Sequence, residues 1–220
     1  DGRNTGPRIT TMDDLKEELI IDAERQTIFD WGELMRYSEL FYFFTWRDIK
    51  IKYKQTVLGF LWAILQPIFL TLIFTFFFGK ALNVPSQNIP YPVFVLSGLL
   101  LWNCFSTGLT NAANGMVSNA TIIKKIYFPR LIIPMASVLV ALFDFLMAFA
   151  VFAAMLLMYN QTVSLYALWC WPLAVLITVA ATLGPGCWLA ALNVKYRDFR
   201  YVIPFLTQIL FFLTPVIYPV

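Results

Sequence analysis

Residues 57–79 read VLGFLWAILQPIFLTLIFTFFFG, inside a run of 25 uncharged residues bounded by Lys54 and Lys80. A helix needs about 20 apolar residues to cross the hydrocarbon core of a bilayer. The run is continuous rather than alternating, which argues for a helix and against a barrel strand. The rest of the chain repeats the pattern. Between Lys80 and Lys124 lie 43 uncharged residues, between Asp144 and Lys195 lie 50, and the last 20 after Arg200 carry no charge. Divided at their turn signals, these runs predict five spans at about 57–79, 93–113, 131–159, 168–192 and 201–220.

Composition agrees. The 220 residues are 60% hydrophobic and 17% aromatic, with mean hydropathy +0.70. Only 13% are charged, against about a quarter in soluble proteins, so polar surface is too scarce to coat a soluble globule. The predicted class is an all-α integral membrane protein, a polytopic helical bundle. Histidine is absent, which excludes an imidazole base, a Ser-His-Asp triad and a histidine-bound metal or haem. Cys104, Cys170 and Cys187 lie in apolar stretches without CxxC spacing and read as packing residues. Beyond residue 55 the acidic residues are Asp144 and Asp198 alone. That leaves little for acid–base catalysis.

Basic residues set the expected orientation. Arg47, Lys50, Lys52 and Lys54 precede the first span; Lys124, Lys125 and Arg130 follow the second; Lys195, Arg197 and Arg200 follow the fourth. The opposite side has Lys80 alone, and ten against one predicts a cytoplasmic N-terminus. The first 30 residues are polar and acidic, unlike a cleavable signal peptide. Residues 1–32 are therefore expected to be a polar cytoplasmic tail, of which 1–11 precede the first methionine and are either a flexible tail or non-native. Residues 33–55 are expected to form an interfacial amphipathic helix, since Leu34, Tyr37, Phe41 and Phe44 recur at helical spacing. The alternation from Ile49 to Lys54 fits a single helix poorly. Residues 57–220 are the transmembrane domain. An odd number of spans leaves Val220 outside, just after Pro219, so a sixth span in a longer chain is expected.

Three features of the spans point towards function. Asn103, Thr107, Thr110 or Asn111, and Asn114 follow at spacings of three or four in the second span. They are either interhelical hydrogen-bonding groups or the wetted wall of a conduit for a neutral polar cargo such as glycan. Asp144 lies inside the third span, where a carboxylate costs about 2.5–3.5 kcal/mol. It must face protein or water and have a partner, and a hydrogen bond to a neighbouring helix is the expected one. Gln66-Pro67 and Gly184-Pro185-Gly186 predict kinks or loosened turns. Between spans two and three, SNATIIKKIYFPR (118–130) is short and amphipathic, with Ile122, Ile123, Ile126 and Tyr127 expected to be exposed until something covers them. No GxxxxGK[ST] nucleotide-binding loop occurs.

Four blocks in order carry a resemblance: WRDIKIKYKQTVLGFLWAILQPIFLTLIFTFFFG, IPYPVFVLSGLLLWNCF, NATIIKKIYFPRLIIP and LNVKYRDFRYVIPFLTQILFFLTPVIYP. Together, over residues 33–220, they resemble the permease subunits of ABC exporters for cell-surface polysaccharides: O-antigen, capsule and teichoic acids. The resemblance implies six spans per subunit, a homodimer in the bacterial plasma membrane and two copies of a separate cytoplasmic ATPase. The cargo it implies is a lipid-linked polysaccharide, moved through a conduit between the two permeases. ATP and Mg would then belong to the partner subunit, with no catalytic residue, metal or cofactor in this chain and no nucleic-acid partner. Asn119, Thr121, Ile122, Ile123, Lys124, Lys125 and Tyr127 match the family's ATPase-coupling region. Trp46, Arg47, Lys50, Lys52, Tyr53 and Lys54 match the end of its interfacial helix, where a lipid-diphosphate headgroup would arrive. Trp62, Trp102 and Phe105 are aromatic faces that a conduit could present to sugars, or ordinary lipid-facing positions.

Two other classes stay open at this stage. A membrane-embedded lipid-linked sugar transferase would need clustered acidic residues or histidines at a membrane face, and Asp198 alone is poor material. A related ABC permease for drugs or lipids differs only in its cargo.

Overall fold

The computed structural model describes residues 36–54, 60–81, 89–161, 164–196, 198–214 and 216. The expected tail at 1–32, the start of the first span, much of the loop after it, Arg197 and the end of the fifth span lie outside the described residues.

Every regular element among the described residues is helical. In chain order these are α1 (Ser38–Lys54), α2 (Phe60–Phe74, continued by π-helical turns Thr75–Ala81), α3 (Tyr91–Ser118), α4 (Ala120–Ile123), α5 (Ile132–Met158), α6 (Leu165–Lys195) and α7 (Phe199–Leu213). Among the described residues, four helices are long and apolar enough to cross a membrane: Leu61–Gly79, Tyr91–Ser118, Ile132–Met158 and Leu165–Lys195. The fifth expected span differs. Its helix stops at Leu213 because Pro215 disfavours helical geometry at the residue before it, and Thr214 is extended (φ −85°, ψ 140°). The second span runs past its expected end at 113, through Asn114 to Ser118.

α3 is the centre of the bundle, packed most extensively against α5 and α6. Helices in lipid associate through close backbone approach, which small residues permit. Gly108 is such a position: a Cβ added there would lie 2.8 Å from Thr182 Cγ2 on α6 and 3.4 Å from Ala141 on α5. Farther along α5, Phe145, Phe149 and Phe152 surround Trp171 of α6 at ring separations of 5.3–6.4 Å. The outer surfaces are as apolar as the interior. Leu157, Tyr166, Trp169 and Leu173 are exposed, a distribution suited to hydrocarbon and not to water.

Both proline sites expected to loosen helices lie inside continuous ones, Pro67 in α2 and Pro185 in α6. Each deletes one backbone bond without ending its helix. The short polar turn expected after the third span is a helix stop. Asn160 takes a left-handed conformation (φ 49°), and the Asn160 and Gln161 N–H groups donate to Leu157 and Leu156 carbonyls at 3.2 and 3.1 Å.

α1 departs most from expectation. It is one helix through Lys54, including the stretch whose alternation fitted a helix poorly. It lies lengthwise along the first half of α5. Phe44 is buried against Phe128, Ile132 and Ile133, and about two and a half turns later Tyr53 meets Phe143 at 5.8 Å. α1 follows α5 through two attachments, Phe44 and the Asp144 contacts described next.

Candidate functional site

Asp144 stands near the middle of α5, about 18 Å along the axis from Ile132 at 1.5 Å per residue. Both of its oxygens are engaged by the last turn of α1. Lys52 Nζ donates to Oδ2, and the Tyr53 hydroxyl donates to Oδ1. This meets the requirement that a carboxylate at such depth have partners. Burial pushes the Tyr53 phenol well above its ordinary value, reinforced by the hydrogen bond to Asp144 and by its charge. The phenol therefore stays protonated, as a donor. Lys52, matched in sequence to a headgroup position, has its ammonium on Asp144.

Beside this cluster is a cavity of about 300 Å³ between α1, α2, α3 and α5. Lys52, Tyr53 and Asp144 form one wall; Trp62, Ala63, Gln66 and Pro67 form the second; Asn103, Cys104 and Thr107 form the third. Asn103 and Thr107 are four residues apart and share one face of α3. Pro67 has no N–H to give the Ala63 carbonyl, so the proline releases a backbone acceptor at the cavity wall. A second cavity of about 310 Å³ lies between α2, α3 and α7, lined by Leu70, Phe74, Trp102, Asn103, Ser106, Thr207, Gln208 and Phe211 among others. Asn103 borders both.

The polar row of α3 thus divides. Asn103 and Thr107 face the first cavity. The Thr110 carbonyl accepts from Asn114 Nδ2 at 2.9 Å, and Asn114 Oδ1 accepts from Asn193 Nδ2 at 3.0 Å. Asn193 also donates to the Ala113 carbonyl at 3.0 Å, stitching α3 to α6. Asn111 points outwards. The aromatic candidates divide too. Trp62 is half exposed at the first cavity, whereas Trp102 packs on Phe105 and Phe211 at 5.6 and 5.4 Å.

Around α4 the structure separates inward from outward residues. Ile122 and Ile123 were expected to be exposed. They instead pack on the cluster of Phe44, Phe128 and Ile132, so α1 covers them from within the chain. Thr121, Lys124, Lys125, Ile126 and Tyr127 remain exposed. Asn119 joins α3 to α4, donating to the Gly115 carbonyl at 2.9 Å and accepting from Arg47 Nη2 at 2.7 Å. Arg47 also pairs with Asp48 at 2.7 Å and lies 4.8 Å over the Phe44 ring. Trp46 stacks on Tyr42 at 6.4 Å with Lys50 beside it at 5.2 Å; these and Lys54 face outwards.

Sequence reasoning missed Gln66 as a cavity residue, the Arg47–Asn119 bond and the role of Asn193. Gln66 carried a signal, as the lone amide in the run 57–79. The other two join positions about 70 and 80 residues apart, and nothing in local spacing announces them.

Residues 39–220 match the ABC-2 type transporter family. An O-antigen export system permease protein of Klebsiella pneumoniae is 33% identical over 172 residues, covering 78% of this chain and 66% of the relative. One from Myxococcus xanthus is 32% identical, covering 85% and 71%. A polysialic acid transport protein of Escherichia coli is 24% identical, covering 79% and 67%. The chain thus spans about two thirds of the length of these relatives.

Proposed function

Because the chain belongs to the ABC-2 type transporter family, we propose that it is the membrane-spanning subunit of an ATP-driven exporter. Its cargo is a lipid-linked cell-surface polysaccharide of the O-antigen or capsule type. The observation that carries this reading is the similarity, across most of the chain, to proteins named for O-antigen export and polysialic acid transport. The chain works in the bacterial plasma membrane as a pair of identical subunits, with its N-terminus in the cytoplasm. A separate ABC ATPase, which carries ATP and Mg, docks on each copy.

The ATPase contact is the exposed edge Thr121, Lys124, Lys125, Ile126 and Tyr127. Hydrolysis does work only if movement of that edge changes how the spans pack. Two contacts support a route. Asn119 holds Arg47 at the base of the edge, and Asp144 holds Lys52 and Tyr53 beside the cavity. Between them α1 rises about 7.5 Å, a little over one turn, short enough to move as a rigid strut. A glycan conduit needs contacts weak enough to release as well as bind, and uncharged amides and hydroxyls meet that need. A transferase would require a second carboxylate near Asp144, and the cavity has none among the described residues.

The test is co-purification with the candidate ATPase, followed by ATPase activity in nanodiscs with and without lipid-linked glycan. A complex of two permeases and two ATPases stimulated by the glycan is expected. A chain that purifies alone and turns over a lipid-linked sugar would overturn the proposal.

A further inference from the structure

We propose that the cavity between α1, α2, α3 and α5 is a binding site for a single neutral sugar ring, complete within one subunit. This rests on the exporter reading and deepens it, by assigning recognition of an individual sugar to a pocket inside the protomer rather than to the seam between two copies.

Three observations carry it. The first is unmet hydrogen-bonding capacity. Among the described residues, the side chains of Gln66, Asn103 and Thr107 have no hydrogen-bond partner, and all three line the cavity. Beside them is the Ala63 carbonyl that Pro67 leaves without its helical donor. Gln66 is exposed and Asn103 and Thr107 are half-buried, so their polar groups are open to the cavity and not sealed in the packing. Gathered around one cavity, they offer donors and acceptors to whatever fills it. The second observation is charge. Lys52 is the cavity's cation and Asp144 its anion, and they are paired, so the wall is neutral overall. A phosphate would meet a cation already engaged and a carboxylate that repels it. A polyhydroxylated, uncharged ring meets neither difficulty.

The third observation is shape. About 300 Å³ is the lower end of small-molecule pockets, which suits one ring and not a threaded polymer. Trp62 is 51% exposed and supplies an indole face on which the apolar side of a pyranose can lie. Walls from four helices hold these groups in place before any ligand arrives, which limits the ordering cost of binding.

The experiment uses the full chain in nanodiscs and saturation-transfer NMR with a panel of methyl glycosides. Neutral hexosides and N-acetylhexosaminides are compared with methyl glucuronide and inorganic phosphate. At least one neutral glycoside is expected to bind. Its affinity should fall about fivefold or more in Asn103→Ala and in Thr107→Val, the loss of one hydrogen bond, and also in Trp62→Leu, whose half-exposed side chain is not needed for packing. Gln208→Ala, in the second cavity, should leave binding unchanged. Binding of phosphate or glucuronide in preference to every neutral glycoside would overturn the proposal. So would neutral binding that survives the Asn103→Ala/Thr107→Val double variant, or no binding at all, which would leave the cavity to water. Surface glycan in cells is scored separately. Export without glycoside binding sinks the pocket alone, whereas binding without export or an ATPase partner sinks the exporter reading and leaves the pocket.

Discussion

Replacing Asp144 by asparagine keeps its shape and removes its charge, and this tests what holds the last turn of α1. The Lys52 and Asp144 side chains are 43% and 23% exposed. Their pair therefore falls between exposed pairs, about 0.2–1 kcal/mol, and buried pairs whose disruption costs about 3–5 kcal/mol. An intermediate value of about 1–2 kcal/mol follows. Asparagine still offers Tyr53 an acceptor, so Asp144→Asn loses the ion pair alone. Asp144→Ala also removes the acceptor of the Tyr53 hydroxyl bond and should cost about 1–3 kcal/mol more. Lys52→Met leaves Asp144 with Tyr53 as its one remaining partner in the cluster. The double variant Lys52→Met/Asp144→Asn has neither charge, so it should be less destabilised than the sum of the single changes by about 1–2 kcal/mol.

The readout is hydrogen exchange of the α1 backbone amides in nanodiscs, because an element held by contacts to one side of a bundle opens before the bundle does. Asp144→Asn should speed exchange in residues 44–54 about tenfold, the equivalent of about 1.4 kcal/mol. α3, held on several sides, should be unchanged. If the two single changes add within about 0.3–0.5 kcal/mol, the ion pair contributes nothing and the other contacts of α1 hold it.

Three shorter predictions follow from other contacts. Gly108→Val places a side chain where even a Cβ would be 2.8 Å from Thr182; overpacking of about 1–3 kcal/mol should lower the unfolding temperature in detergent, and an unchanged temperature would contradict the α3–α6 contact. Reversing Lys124 and Lys125 to glutamate should leave membrane insertion intact while uncoupling ATPase activity from export, and normal export would count against docking at that edge. Burial and Asp144 raise the Tyr53 phenol above its usual value near 10, so its contribution is complete below that pH and lost only as pH rises through the higher value. An ultraviolet phenolate titration should show a lagging fraction among the ten tyrosines, and Tyr53→Phe should reduce that fraction by one residue; a lagging fraction that Tyr53→Phe leaves unchanged would show that the contact is absent.

The spans were legible because a bilayer imposes a length and a composition that a run of uncharged residues satisfies by itself. The helix end at Asn160 was legible from a polar turn, whereas the stop at Leu213 was not read, although Pro215 carried its signal. Asp144 was legible as a group that must have a partner, although the partner's identity was not. The end of α1 was misread for a physical reason. Local periodicity reports which residues share a face, but the alternation from Ile49 to Lys54 was overridden by Asp144, 92 residues from Lys52. The same limit explains the polar row on α3. Spacing put Asn103, Thr107 and Asn114 on one side, and only the positions of α2 and α6 decide which face a cavity and which meet Asn193.

The Lys52–Asp144 pair is a costly way to fasten two helices. Well-packed apolar side chains of similar volume are often as stabilising as a buried ion pair or more so, and α1 already has such a fastening at Phe44. The two ends of α1 therefore differ in kind. At Phe44 the contact is apolar and its loss would leave a void, so that end resists separation. At Lys52 the contact is ionic and borders a cavity, so water or a polyhydroxylated ligand can take over its hydrogen bonds as it opens. A helix held at Phe44 and exchangeable at Lys52 can open at one attachment while the other stays closed. Arg47, bonded to Asn119 between those ends, lies where a push from the α4 edge would act. On this argument Phe44→Ala, which loosens the fixed end, should impair coupling of ATPase activity to export more than Lys52→Gln, which keeps the exchangeable end polar. Equal impairment by the two changes would show that the ends of α1 do not differ in this way.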